Sequence, residues 1–177
     1  MRFERQVGFR AWQSPAGERE RYASAQTKLG EAVLLRGRAV QGGVEAQWNG
    51  WEEWVITLAG AELVVLRDIA VPGIAARRRV SKAVHGTLGG AELKLSGRRT
   101  LRPSGRYVVF ETPGRSISFR PHGLGVRVLD GQENLLAQRI SGQWQETVPS
   151  EDAIGAICAF EWGGLDHFMD SPLMAVL

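Results

Sequence analysis

Three groups of side chains in this sequence have the types and spacing to do chemistry. Trp48, Trp51 and Trp54 place half of the chain's six tryptophans within seven positions, and such rings anchor protein partners or apolar ligands by desolvating a large flat surface. Arg77-Arg78-Arg79 with Lys82, and Arg98-Arg99 with Arg102, are basic clusters. Their forked guanidinium groups suit phosphate or carboxylate, and nearby Tyr107 and Phe110 could stack on bases. Glu161, Asp166, His167 and Asp170 are the densest set of potential metal ligands.

The metal set is the weakest of the three. None of the histidines, His85, His122 and His167, has a second His or Cys at ligand spacing, and polar residues at a glycine-rich helix end ordinarily serve as solvated caps. No metal or cofactor is assigned. Cysteine catalysis is disfavoured as well, because Cys158 lies in the most apolar stretch, where a thiol behaves as a small buried hydrophobe. No Gly-x-Ser-x-Gly elbow, phosphate loop or dinucleotide fingerprint occurs. No catalytic residue is assigned, and the reading leans away from an enzyme.

Charge is unevenly distributed. Residues 61–140 carry 14 basic and 6 acidic side chains, a net +8, whereas residues 141–177 carry 6 acidic side chains and no Lys or Arg, a net −6. Nineteen of the 22 basic residues are arginine. The single cysteine rules out an intrachain disulfide and points to a reducing, cytoplasmic setting. No signal peptide or run of about 18 apolar residues is visible, so no transmembrane segment is expected.

The elements that must position these groups are mostly strands. Residues 3–12 read as a short strand or amphipathic piece, Glu18–Lys28 as a loop or marginal helix, and Ala32–Val40 as a strand interrupted by a bulge or tight turn at Gly37. Asn49-Gly50 is a strong type I′ hairpin signal, setting Trp48 across from Trp51. Trp54, Ile56 and Leu58 then alternate along a half-buried strand. Three tryptophans three residues apart cannot share one face of a straight strand. If Trp54 is core, Trp48 or Trp51 faces a partner, although cross-strand aromatic packing is the commoner outcome.

Glu62–Arg67 follows as a strand, ended by Pro72-Gly73. Arg77–Lys82 reads as a linker between halves. Strands are expected at Ala91–Leu95, Arg106–Glu111, Ser116–Arg120, Gly125–Leu129 and Leu135–Ile140, punctuated by Pro- and Gly-rich turns. This pattern predicts a mainly β fold, an antiparallel barrel or sandwich in a single domain over 1–177. Leu29-Gly30-Glu31-Ala32 resembles Leu88-Gly89-Gly90-Ala91, so two pseudo-repeated lobes, 29–72 and 86–140, are one arrangement, with chance similarity the other.

The last segment changes character. Ser150 is a ready N-cap with Glu151 and Asp152 in the first turn, and 153–160 is apolar or glycine throughout. A helix hydrophobic all round is buried on every side, so a C-terminal helix at about 150–162 is expected to plug a barrel or lie across a sheet, ending at Gly163-Gly164.

Gly30, Leu34-Leu35-Arg36-Gly37-Arg38 and Trp51-Glu52-Glu53-Trp54 together resemble the bacterial domain of unknown function known as DUF-4178, chiefly over 29–70. That resemblance implies a small bacterial β domain and supplies no catalytic residues. The order of strands followed by a buried helix is also similar to the tubby and phospholipid-scramblase barrels.

These observations lead to a non-enzymatic binding or scaffold module of the bacterial cytoplasm, recognising a protein partner, a second copy of itself or an apolar ligand. The alternatives are a nucleic-acid-binding β-barrel using the arginine clusters and a metal-dependent enzyme near the C-terminal helix.

Overall fold

Period-two alternation runs through almost every segment that the structure, a computed structural model, describes: residues 1–5, 18–38 and 52–171. Among these it forms twelve strands in one antiparallel meander. They are β1 (Arg2–Arg5), β2 (Arg19–Thr27), β3 (Gly30–Arg38), β4 (Glu52–Leu58), β5 (Ala61–Arg67), β6 (Val84–Leu88), β7 (Ala91–Arg98), β8 (Tyr107–Thr112), β9 (Arg115–His122), β10 (Gly125–Asp130), β11 (Leu135–Ile140) and β12 (Gln143–Glu146). Each strand pairs with the next, and the sheet curls into a nearly closed barrel. Its two end strands meet where the Met1 amino nitrogen donates to the Trp144 carbonyl at 3.4 Å.

Helix α2 (Glu151–Gly163) fills the interior. Ala153 to Phe160, Trp162 and Gly163 are all buried, as expected for an element with no polar face. Ser150 caps its first turn by accepting from the Ala153 amide, and Gly164, left-handed at φ 62°, ends it. The wall makes room with small inward residues, Ala23, Ala25, Ala32 and Ala137. On the helix, a Cβ on Gly155 would stand 2.7 Å from Val64 Cγ2 and 2.9 Å from Leu63 Cδ2. Phe119 stacks on Phe160 at 4.4 Å between centroids, with Trp144 edge-on to both rings.

The mainly antiparallel barrel with a C-terminal helix inside it is therefore as the patterning predicts. Several local readings are corrected. Glu18–Lys28 is neither loop nor helix; it is β2, and its inward Ala23 and Ala25 carry too little hydrophobic signal to reveal a strand. Gly37 marks no bulge, since β3 pairs without a break with β4 from Ala32↔Leu58 to Arg38↔Glu52. The bulge lies in β2, between Arg21 and Ala23. The 77–82 stretch is not a linker either: Ile74–Val80 forms helix α1, which buries Ala76 and Val80. Because β5 pairs with β6, the sheet runs unbroken from 29–72 into 86–140. The Asn49-Gly50 turn lies outside the described residues. Among those described, no helix is long and apolar enough to cross a membrane.

Antiparallel alternation gathers the β5–β6, β7–β8, β9–β10 and β11–β12 connections at one end of the barrel. The C-terminus of α2 and the 3-10 turn Leu165–Phe168 emerge at that end, where Arg77 and Arg99 meet them.

Candidate functional site

The tryptophan group separates. Trp54 is completely buried on the inner face of β4, and its indole nitrogen donates to Glu52 Oε2 at 3.1 Å. It therefore offers no contact to a partner, a correction that follows from its inward parity with Ile56 and Leu58. Trp48 and Trp51 lie outside the described residues. Glu52 is itself fully buried and takes a two-pronged contact from Arg36, Nε to Oε2 at 2.7 Å and Nη2 to Oε1 at 2.5 Å. The Arg36 guanidinium lies over the Tyr22 ring at 4.4 Å. A second set of the same composition holds the helix. Glu161 on α2 accepts from Arg139 and, at 2.9 Å, from the Trp144 indole. Each carboxylate is compensated by an arginine and an indole donor, with the two-pronged fork formed at the fully buried Glu52, the condition for tolerating buried charge.

The metal candidates do not converge. Glu161 is engaged by Arg139, His167 meets Arg99, and among the described residues no group of three or more His, Cys, Asp or Glu is placed to hold a metal ion. Burial, then the neighbouring Glu161 and Glu146, pushes the Cys158 thiol far above its ordinary range, which keeps it in the unreactive thiol form.

Several arginines of the basic clusters bind the chain itself. Arg77 Nε donates to the Gly164 carbonyl at 2.8 Å, at the negative end of α2, and Arg79 Nε donates to the Asp68 carbonyl at 2.7 Å. Arg99 reaches the carbonyls of Asp170 and Ser171 and meets His167 Nε2 at 3.1 Å. The His167 ring must accept there, because a guanidinium has no lone pair to offer. Burial first, then Arg99 and Arg77, lowers its pKa. Arg106, buried, donates to the carbonyls of Thr100, Leu101 and Met169. These contacts fasten the segment that follows α2 and fix the β7–β8 connection. Of the other predicted contacts, Arg78, Lys82, Arg98 and Arg102 are exposed.

Arg98 belongs to an arrangement that the clusters do not reveal. On the outer face of the wall, Arg98 on β7 pairs with Tyr107 on β8. The β8–β9 register runs through Val108↔Phe119, so its next step sets Tyr107 beside Arg120. Arg120 pairs with Arg127 on β10, and Arg127 with Gln138 on β11. Parity puts all five outside, since Leu93, Leu95, Val108, Phe110, Ile117, Phe119, Val126, Val128 and Ala137 fill the alternating inner positions. Arg98, Arg120 and Arg127 are exposed, and Tyr107 is half-buried. Among the described residues none of the three arginines is paired with a carboxylate.

The neighbouring outer row, Ser96, Val109, Ser118 and Leu129, is uncharged, and the nearest acid along β8, Glu111, faces Lys94 at 3.8 Å. The result is a band of three guanidinium groups and one phenol with no counter-charge of its own. Its members are scattered over thirty positions in sequence. The legible signal was the alternation Ile117-Ser118-Phe119-Arg120 and Val126-Arg127-Val128, which puts both arginines on the solvent face. Comparison of the chain with protein-family models, with curated proteins and with solved structures finds no match to any of them.

Proposed function

We propose that the protein is a non-enzymatic binding module that engages the phosphodiester backbone of nucleic acids through the outer face of β7–β10. The observation that carries this reading is the Arg98–Tyr107–Arg120–Arg127 row, in which Arg120 and Arg127 face each other directly without an acid between them. Like charges opposite one another on a sheet are mutually destabilising, and a bound anion relieves that cost. Arg102, exposed in the adjoining connection, extends the positive field. A cytoplasmic, bacterial setting agrees with the reduced, buried Cys158 and with the resemblance over 29–70. The likeness to the tubby and scramblase barrels is proposed from element order alone, strands followed by a buried helix.

The test is fluorescence anisotropy of a labelled 12-nucleotide DNA with wild type and with Arg120→Gln/Arg127→Gln at two salt concentrations. The wild type should bind with an affinity that falls steeply with salt, and the double variant should bind more weakly with a shallower salt slope. Binding that ignores salt and both substitutions would reject the reading, as would no binding of the wild type at the lower salt concentration.

A second reading, recognition of a protein partner, rests on apolar side chains exposed at the end where α2 emerges: Ile74 (69% exposed), Leu101 (64%) and Leu124 (109%). An interface anchored there would keep its affinity as salt rises. The interior is filled by α2, so an apolar ligand would have to displace that helix.

A further inference from the structure

We infer that the nucleic acid held by this row is single-stranded, laid across β7–β10 with an unpaired base on the ring of Tyr107. The inference rests on the binding reading above and adds what the phenol contributes. Neighbouring strands lie about 4.8 Å apart, so Arg98 and Arg120 flank Tyr107 at one strand spacing on either side, and the row from Arg98 to Arg127 spans about 14 Å. An aromatic ring between guanidinium groups is the combination by which single strands are held: charge follows the backbone while a base stacks on the ring.

Tyr107 is half-buried, so part of it stays open to solvent. The adjoining row offers only Ser96, Val109, Ser118 and Leu129, so no long charged side chain from it lies across the phenol. The ring is also rooted in fixed backbone, because the preceding Arg106 is locked to the carbonyls of Thr100, Leu101 and Met169. A duplex would present phosphates to the arginines but keep both faces of each base stacked on its neighbours, leaving Tyr107 without a partner.

The experiment compares single-stranded and duplex forms of one 12-nucleotide sequence by anisotropy, with wild type, Tyr107→Ala and Tyr107→Phe. Circular dichroism establishes that each variant is folded. The expected result is a preference for the single strand, a loss of roughly 5- to 150-fold with Tyr107→Ala, the range for one stacked base, and near wild-type binding with Tyr107→Phe. Duplex binding should be indifferent to both substitutions. Equal affinity for the two forms, unchanged by Tyr107→Ala, overturns this inference and leaves the phosphate-binding reading standing. Failure of wild type to bind either form at low salt overturns both.

Discussion

Arg120 and Arg127 stand directly opposite each other across the β9–β10 ladder, both exposed and neither paired with a carboxylate among the described residues. Two guanidinium groups at this separation repel, and opposed like charges cost about 0.2–1 kcal/mol. The free protein should therefore gain stability when one of them is neutralised. Arg127→Gln is expected to raise the unfolding free energy read from urea titration by an amount within that range while weakening oligonucleotide binding. Loss of stability would mean that Arg127 has a structural partner in the folded chain.

The Arg36–Glu52 pair has the opposite logic. Glu52 is fully buried, and its charge is compensated by Arg36 and the Trp54 indole. Removing one partner of such a pair strands the other charge, at roughly 3–5 kcal/mol. Arg36→Ala should lower stability by that order in urea unfolding. Combining Arg36→Leu with Glu52→Gln should cost much less, because no charge is left behind.

Gly155 sets how closely α2 approaches β5. A valine there gains at most about 1 kcal/mol of helix propensity, but its Cβ meets Val64 and Leu63 well inside contact distance, and overpacking costs about 1–3 kcal/mol. The second effect wins. Gly155→Val should lower the melting temperature and expose the thiol of Cys158 to alkylation at pH 8, where the wild type stays protected.

His167 makes stability depend on pH. Its folded pKa is lowered, by burial and by Arg99 and Arg77, from the 6.5 of a free imidazole. The unfolded chain therefore takes up protons first as pH falls below about 6.5. The contribution is fully present above that pH and is lost as pH drops through the folded value. Thermal melts should show Tm falling between pH 7.5 and 5.5, and His167→Gln should flatten the profile. A Tm rising toward pH 5.5 would contradict the contact with Arg99.

Much of the barrel is readable from residue order because each strand from β7 to β10 carries two large inward residues flanked by turn formers. β2 is not, because a wall that must accommodate a helix uses alanine where a strand is usually announced by valine or isoleucine. The ends of α2 were legible because Ser150 and Gly164 have chemistry specific to helix caps. The site was harder. Runs such as Arg77-Arg78-Arg79 draw attention, yet Arg77, Arg79 and Arg99 are spent on carbonyls of the chain. The unopposed arginines lie on separate strands and become neighbours only once the register is known.

The most direct test of the central claim is the salt dependence of single-stranded oligonucleotide binding. The slope of log affinity against log salt should be negative for wild type and smaller by about two phosphate contacts for Arg120→Gln/Arg127→Gln, each contact contributing about one unit or less. Equal slopes for the two proteins would show that the β9–β10 arginines do not touch the backbone, and the proposed interface would be wrong.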